Sequence, residues 1–178
     1  MARRETAARR YADAAFEIGR ADGTLDAWER DLQTLRTALG DEHLRGLVEH
    51  PAVPFAEKEK VLRKVVTGVS REPLSLALLM IRRGRPGAID AMVDRFAELV
   101  RRERGIALAE VRSALPLDAE QRAAITERLR ALTGDRIEMN ELVDESLIGG
   151  LTVRIGDRLY DASVRSRLER LRTRLTAV

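Results

Sequence analysis

The chain contains no cysteine, and that absence removes three classes together: a disulfide scaffold, a thiolate zinc site and a cysteine nucleophile. Histidine is almost as scarce. His43 and His50 are the only two, with no HExxH and no third ligand, so a zinc site is excluded on spacing. His50 precedes Pro51 and reads as the end of a helix. Aromatic residues make up 3% of the chain, which leaves almost no stacking platform for RNA. Neither GxxxxGK[ST] nor GxGxxG occurs, and Gly149-Gly150 alone, between strand candidates, is no phosphate cradle. No GxSxG elbow presents a serine nucleophile. The pair Asp144-Glu145 reads as a solvated turn. No apolar run approaches the ~18–20 residues of a membrane span; the longest is Leu76 to Ile81. The start Met1-Ala-Arg-Arg-Glu5 is basic but leads into no apolar stretch, so no secretory signal is expected. These absences predict a soluble intracellular protein with no catalytic constellation, no metal and no cofactor.

What is present is helix-forming and charged. Hydrophobic residues make up 44% of the 178 and charged residues 34%, enough for a real core in one or two small domains. The basic character is shallow. The net charge is only +3, and the sequence pI of 9.8 reflects late-titrating arginine, since Lys58, Lys60 and Lys64 are the only lysines. Before Gly105 stand 20 basic and 17 acidic residues, and after it 12 of each, so neither part is a basic lobe. Solvated, paired helix surfaces are expected.

Up to Gly105 the sequence reads as helices in succession. The first runs from about Arg4 to Arg20 and stops at Asp22-Gly23. Thr24 is placed to cap the second, where Leu25, Trp28, Leu32, Leu35 and Leu39 recur at three- and four-residue steps before Gly40. A short third helix carries Leu44, Leu47 and Val48 and is stopped by Pro51 and Pro54. The fourth is expected to set Val61, Leu62, Val65, Val66 and Val69 on one side. Pro73 opens the fifth, through Arg82 or Arg83. After the turn Gly84-Arg-Pro-Gly87, the sixth carries Ile89, Met92, Val93, Phe96, Leu99 and Val100 in register. The expected fold is mainly α: a six-helix antiparallel bundle over 1–105, then a smaller domain over 106–178.

In that second part the period changes. Ala107, Ala109, Val111 and Ser113 alternate with Leu108, Glu110 and Arg112, which predicts a strand broken by Pro116. Asp118-Ala-Glu-Gln121 has capping-box spacing, and Ile125, Leu129 and Leu132 follow before Gly134. Ile137, Met139 and Val143 alternate again. Leu151, Val153 and Ile155 share a face, Gly156-Asp157 makes a two-residue turn, and Leu159-Tyr160 returns. A last helix shows Val164, Leu168, Leu171 and Leu175 on one stripe. Strand, helix, strand, hairpin and helix make a small α+β domain.

Two helices are more apolar than one-sided packing requires. At about 100° per residue, Arg9, Arg10, Asp13, Glu17 and Arg20 of the first helix fall in an arc of about 100°. Apolar residues, chiefly alanines, fill about 220° of the rest, roughly twice the stripe that one-sided packing needs. The fifth helix is apolar all round from Leu76 to Ile81. Both helices are either central in the bundle or keep a second face for an amphipathic partner helix.

Two segments carry a resemblance. Ala8-Arg-Arg-Tyr-Ala-Asp-Ala-Ala-Phe16 resembles the opening Ala-x-x-Tyr-Ala-x-Ala-Phe/Leu signature of the delta subunit of F-type ATP synthases, the family of the mitochondrial oligomycin-sensitivity-conferring protein. LIGGLTVRIGDRLYDASVRSRLERL, from Leu147 to Leu171, is similar to that family's C-terminal motif. Gly150, Arg154, Gly156, Asp157, Asp161, Ser163, Val164, Arg165, Arg167 and Leu168 match it. The resemblance covers nearly the whole chain.

It implies a non-catalytic stator subunit that joins the catalytic alpha/beta head to the peripheral stalk, so that rotation is coupled to ATP synthesis. The N-terminal bundle would hold the N-terminal helix of an alpha subunit between its first and fifth helices, and the C-terminal domain would meet the b subunit. By carry-over, Tyr11, Ala14, Ala15 and Ile18 face the alpha helix, with Leu76, Leu79 and Met80 opposite. No nucleic acid is implied, and the membrane is reached only indirectly, on the cytoplasmic face of a bacterial plasma membrane. The Met1 start leaves little room for a transit sequence, which favours a bacterium. In the C-terminal motif, Gly156-Asp157 is expected to make the hairpin, Asp161 or Ser163 to cap the last helix, and Leu168 and Leu171 to pack it on the sheet. That helix carries Arg165, Arg167, Arg170, Arg172 and Arg174 against only Glu169, facing either an acidic stretch of b or the acidic segment from Asp135 to Glu145. The competing reading is a basic helical RNA-binding adaptor, separable by its steep salt dependence.

Overall fold

The computed structural model describes the backbone from Ala2 to Thr176, and within it the side chains of residues 5–170, 172 and 173. The chain divides into two compact units, Met1–Val100 and Arg101–Val178. Among the described residues no helix is long and apolar enough to cross a membrane.

Unit 1 is helical: α1 (Ala2–Ala21), α2 (Leu25–Gly40), α3 (Glu42–Glu49), α4 (Phe55–Val65), α5 (Arg71–Arg82) and α6 (Ile89–Glu103), the last running on into unit 2. The Gly84–Gly87 turn passes into a 3₁₀ turn over Pro86–Ala88. The core is built from the periodic positions. Leu32, Leu35, Leu62, Met80, Met92 and Val100 have essentially no exposure, and Trp28 stacks on Phe96 at 6.1 Å between ring centroids while Phe16 meets Phe96 edge-on. Three local expectations are corrected. Thr24 occupies the N-cap of α2, but its side chain makes no capping bond. Helix α4 stops at Val65, which is exposed; Val66 is extended and buried, and Val69 lies beyond, so the five valine and leucine positions do not share one helical face. Helix α5 begins at Arg71, two residues before Pro73.

The α5 start is held by an acid that periodicity does not mark. Asp31 of α2 is buried among leucines, and its Oδ2 accepts from the Ser70 amide at 2.8 Å. A carboxylate on an orphan helix-start amide is satisfied by both hydrogen bond and dipole. Asp41 does the same within α3, accepting from the Leu44 amide at 3.0 Å, and His50 ends that helix as its C-cap.

Unit 2 runs β1 (Ile106–Ser113), α7 (Ala119–Thr133), β2 (Arg136–Val143), β3 (Leu151–Ile155), β4 (Arg158–Asp161) and α8 (Val164–Thr176). The sheet order is β2-β1-β3-β4. Strands β1 and β2 are parallel and joined through α7; the other two pairs are antiparallel. Register aligns Ala109 with Met139 and Ile155, and Val111 with Val153, so the alternating side chains meet on one face. Ala109, Val111, Leu129 of α7 and Val153 form the small core there. The Asp118–Gln121 capping box is fully formed. Gly156, at φ +55°, is the first central residue of the β3–β4 turn and Asp157 keeps a negative φ, which is the pattern of a type II′ hairpin. Helix α8 departs from expectation. Leu168 is 55% exposed and does not pack on the sheet, and the Leu171 and Leu175 side chains lie outside the described residues.

Candidate docking surfaces

The wide apolar arc of α1 divides in two. Ala8, Ala12, Ala15, Phe16 and Gly19 turn into the bundle and are buried. On the adjoining arc Tyr11 is half-buried, while Ala14 and Ile18 are exposed, Ile18 by 47%. Helix α5, which touches α1, repeats the division. Ala77, Leu78, Met80 and Ile81 are buried, Leu76 is half-buried and Leu79 is 42% exposed. Of the seven residues implied for a helix groove, Ala15 and Met80 are therefore in the core. Tyr11, Ala14, Ile18, Leu76 and Leu79 keep surface on two neighbouring helices.

The C-terminal motif is assembled around the start of α8. Gly150 has φ +80°, and a Cβ there would stand 2.6 Å from the Ala162 carbonyl oxygen, so the chain entering α8 packs directly on glycine backbone. The Val164 amide donates to the Gly149 carbonyl at 2.9 Å, and Ala162 donates to Leu151 at 3.0 Å. Asp161 and Ser163 both serve the helix start. Ser163 Oγ accepts from the Ser166 amide, and Asp161 accepts from the Ser163 amide at 2.9 Å and the Ser166 hydroxyl at 2.7 Å. Those bonds, the Ser163 amide first, hold the Asp161 carboxyl below its ordinary 3.8. Asp157 lies in the hairpin turn, and Arg154 stands exposed on the outer face of β3, opposite Glu110 and Leu159.

Two acids of the Asp135–Glu145 segment have partners within unit 2. Glu141 pairs with Arg122 of α7 through two bonds, one of them 3.0 Å, and this pairing lowers its carboxyl. Asp144 accepts from the hydroxyl and amide of Ser146, which lower it likewise. From α8, Arg165 donates to the Ser146 carbonyl at 3.3 Å, while Arg167 and Leu168 are exposed. Elsewhere arginines are paired: Arg36 with Asp94 at 2.7 Å, Arg20 with Glu17, Arg63 with Glu59, Arg95 with Glu98 and Arg112 with Glu110. Such dispersed pairs do not concentrate charge as phosphate binding demands.

Sequence reasoning located the two over-apolar helices but not Asp31 or the continuity between Gly149 and α8. A lone Asp in an apolar stripe followed by a helix start 39 residues later carries no periodic signal.

The family model described as ATP synthase delta (OSCP) subunit matches residues 7–175. The "ATP synthase subunit delta" of Salinibacter ruber is 39% identical over 96% of this chain and 90% of its own length. That of Anaeromyxobacter dehalogenans is 36% identical over 94% and 96%. Among solved structures, a chain of the Toxoplasma gondii mitochondrial ATP synthase hexamer covers 96% of this chain and 98% of itself, with 29% identity and a TM-score of 0.66. Matched end to end in sequence and in fold, the chain belongs to the ATP synthase delta (OSCP) subunit family and is a structural, non-catalytic part of the F-type ATP synthase.

Proposed function

We propose that this subunit is the joint between the catalytic alpha/beta head and the peripheral stalk. Unit 1 receives the N-terminal helix of an alpha subunit along Tyr11, Ala14, Ile18, Leu76 and Leu79, with Ala15 and Met80 supporting both helices from inside. Unit 2 meets the b subunit. The complex then lies on the cytoplasmic face of a bacterial plasma membrane, and this chain reaches the lipid only through its partners. The observation that carries the reading is the apolar surface left over on two touching helices, with Ile18 and Leu79 each nearly half exposed. An amphipathic helix laid there would remove that surface from water, and the small Ala14 lets its backbone come close.

The role is mechanical. A rotor transmits torque to a catalytic head only if the head is held still, so affinity is what this subunit supplies. A single helix in a groove buries an area near or below the ~1,200–2,000 Å² of a standard interface. A second attachment on the same chain raises the effective concentration of the first.

The test is fluorescence anisotropy with a labelled peptide matching the alpha N-terminus. Ala14→Asp is expected to abolish binding, with helicity and melting temperature unchanged because the position is exposed. Binding equal to that of the unaltered protein overturns the groove. Affinity should vary little with salt; a steep loss on adding salt is the result expected of an RNA adaptor.

A further inference from the structure

Among the described residues, Asp31 is the only charged side chain that is buried, with 8% exposure on a face of α2 otherwise made of Trp28, Leu32, Leu35 and Leu39. A carboxylate in such a place costs free energy unless its oxygens are satisfied, and an apolar residue would fill the core as well. Its partner lies 39 residues on: Oδ2 accepts from the Ser70 amide at 2.8 Å. Ser70 is the N-cap of α5, and its own side chain makes no capping bond. Pro73, in the first turn, carries no N–H. The start of α5 therefore takes a side-chain acceptor from α2, the helix it packs against.

The buried face of α5, with Leu74, Ala77, Leu78 and Ile81, decides which side of the helix turns inward. Apolar burial is non-directional, so it holds the height of a helix along its own axis less firmly. A hydrogen bond at one end is directional and sets that height. Leu76 and Leu79 stand six and nine residues beyond Ser70, about 9 and 14 Å along the axis at ~1.5 Å per residue. A shift at the Ser70 end is carried to both of them, because a helix moves as a stiff unit.

We infer that Asp31 is a positioning residue for the α1–α5 groove: its bond to the Ser70 amide sets the height at which Leu76 and Leu79 stand beside Tyr11, Ala14 and Ile18. This rests on the reading that the groove receives a partner helix, and it adds to that groove a residue that touches no partner. Asp31 acts on affinity only through α5. By linkage, a bound helix that needs α5 at this height strengthens the Asp31–Ser70 contact by the same factor that the contact gives to binding.

The experiment measures binding of the labelled alpha N-terminal peptide to the full chain by anisotropy, beside melting followed by circular dichroism. Asp31→Leu removes the acceptor but suits its apolar surroundings, so the melting temperature should hold or rise. Peptide affinity should nevertheless fall about three- to tenfold. Asp31→Asn keeps an acceptor oxygen and should bind within about twofold of the unaltered chain. Leu44→Ala, in the core at α3, should lower the melting temperature and leave affinity unchanged. Ser70→Pro removes the same bond from the donor side, at a φ of −62° that suits proline. Added to Asp31→Leu, it should cause no further loss of affinity. In the unaltered chain, saturating peptide should slow exchange of the Ser70 amide about three- to tenfold, a reading that needs no variant to fold. If the unaltered chain binds the peptide but Asp31→Leu binds equally well, or Ser70 exchange does not respond, the role given to Asp31 is wrong while the groove stands. If the unaltered chain does not bind the peptide, both fall.

Discussion

A Cβ on Gly150 would stand 2.6 Å from the Ala162 carbonyl oxygen and 3.0 Å from Ser163 Cα, with the residue already at positive φ. Neither obstacle is a flexible side-chain end, so relief requires the β3 start and the α8 start to move apart. Gly150→Ala is accordingly expected to destabilise unit 2 by about 2–4 kcal/mol, read as a lower urea midpoint, where Gly156→Ala, with open space around it, costs about 1 kcal/mol through its φ alone. At this scale the matching C-terminal motif has a structural explanation. Gly150 permits the crossing, Gly156 turns the hairpin, and Asp161 and Ser163 cap α8. Arg154, Asp157, Val164, Arg165, Arg167 and Leu168 are exposed, and four of those six lie on α8.

At the scale of elements, α1 shows how one helix serves two surfaces. Ala14 and Ala15 are neighbours in sequence about 100° apart on the helix, one exposed and one with 1% exposure. Ala15→Leu should cost about 1–3 kcal/mol by overpacking the bundle, whereas Ala14→Leu should shift thermal stability by less than about 0.5 kcal/mol. Comparable losses at both positions would mean that Ala14 is enclosed and the groove absent. Helix α5 is placed from outside itself, by the Asp31 carboxylate on the Ser70 amide. The wall opposite α1 is thus set by α2 as well as by its own packing. Helix α8 is the opposite case: its described side chains from Arg167 onward are exposed.

For the whole molecule, the two units differ in how they should meet acid. Glu141, Asp144 and Asp161, all in unit 2, have folded-state pKa values lowered by hydrogen bonds from Arg122, Ser146 and Ser163 respectively. A depressed carboxyl pKa contributes stability that is fully present above the unfolded value. That contribution is lost as pH falls through the lower folded value. Acidification from neutral through 3.8 and below should therefore loosen unit 2, read as faster hydrogen exchange of β1 and β3 amides. Asp161→Asn should remove part of that pH dependence. Trp28, the only tryptophan, sits in the core of unit 1 and reports that unit separately by fluorescence. If the α1–α5 face holds a partner helix as proposed, that binding should vary little with salt, because apolar burial is not screened.

Periodicity was sufficient for most of the architecture, because burial of an apolar stripe repeats along the chain at 3.6 or 2 residues and leaves its mark locally. The six N-terminal helices, the β-α-β-hairpin-α order and the Asp118 capping box were legible for that reason, as was the excess apolar width of α1 and α5. The same signal could not say where α4 ends, because Val66 and Val69 are apolar for reasons of loop packing rather than helical phase. It could not show that Leu168 stays outside, since an i, i+4 stripe looks the same whether its partner is in the chain or elsewhere. Which half of the wide α1 arc faces the core, which helix start Asp31 satisfies, and that Gly149 and Gly150 pack on the start of α8 are contacts between residues far apart in sequence. No local pattern encodes them, and only the packed tertiary structure brings them together.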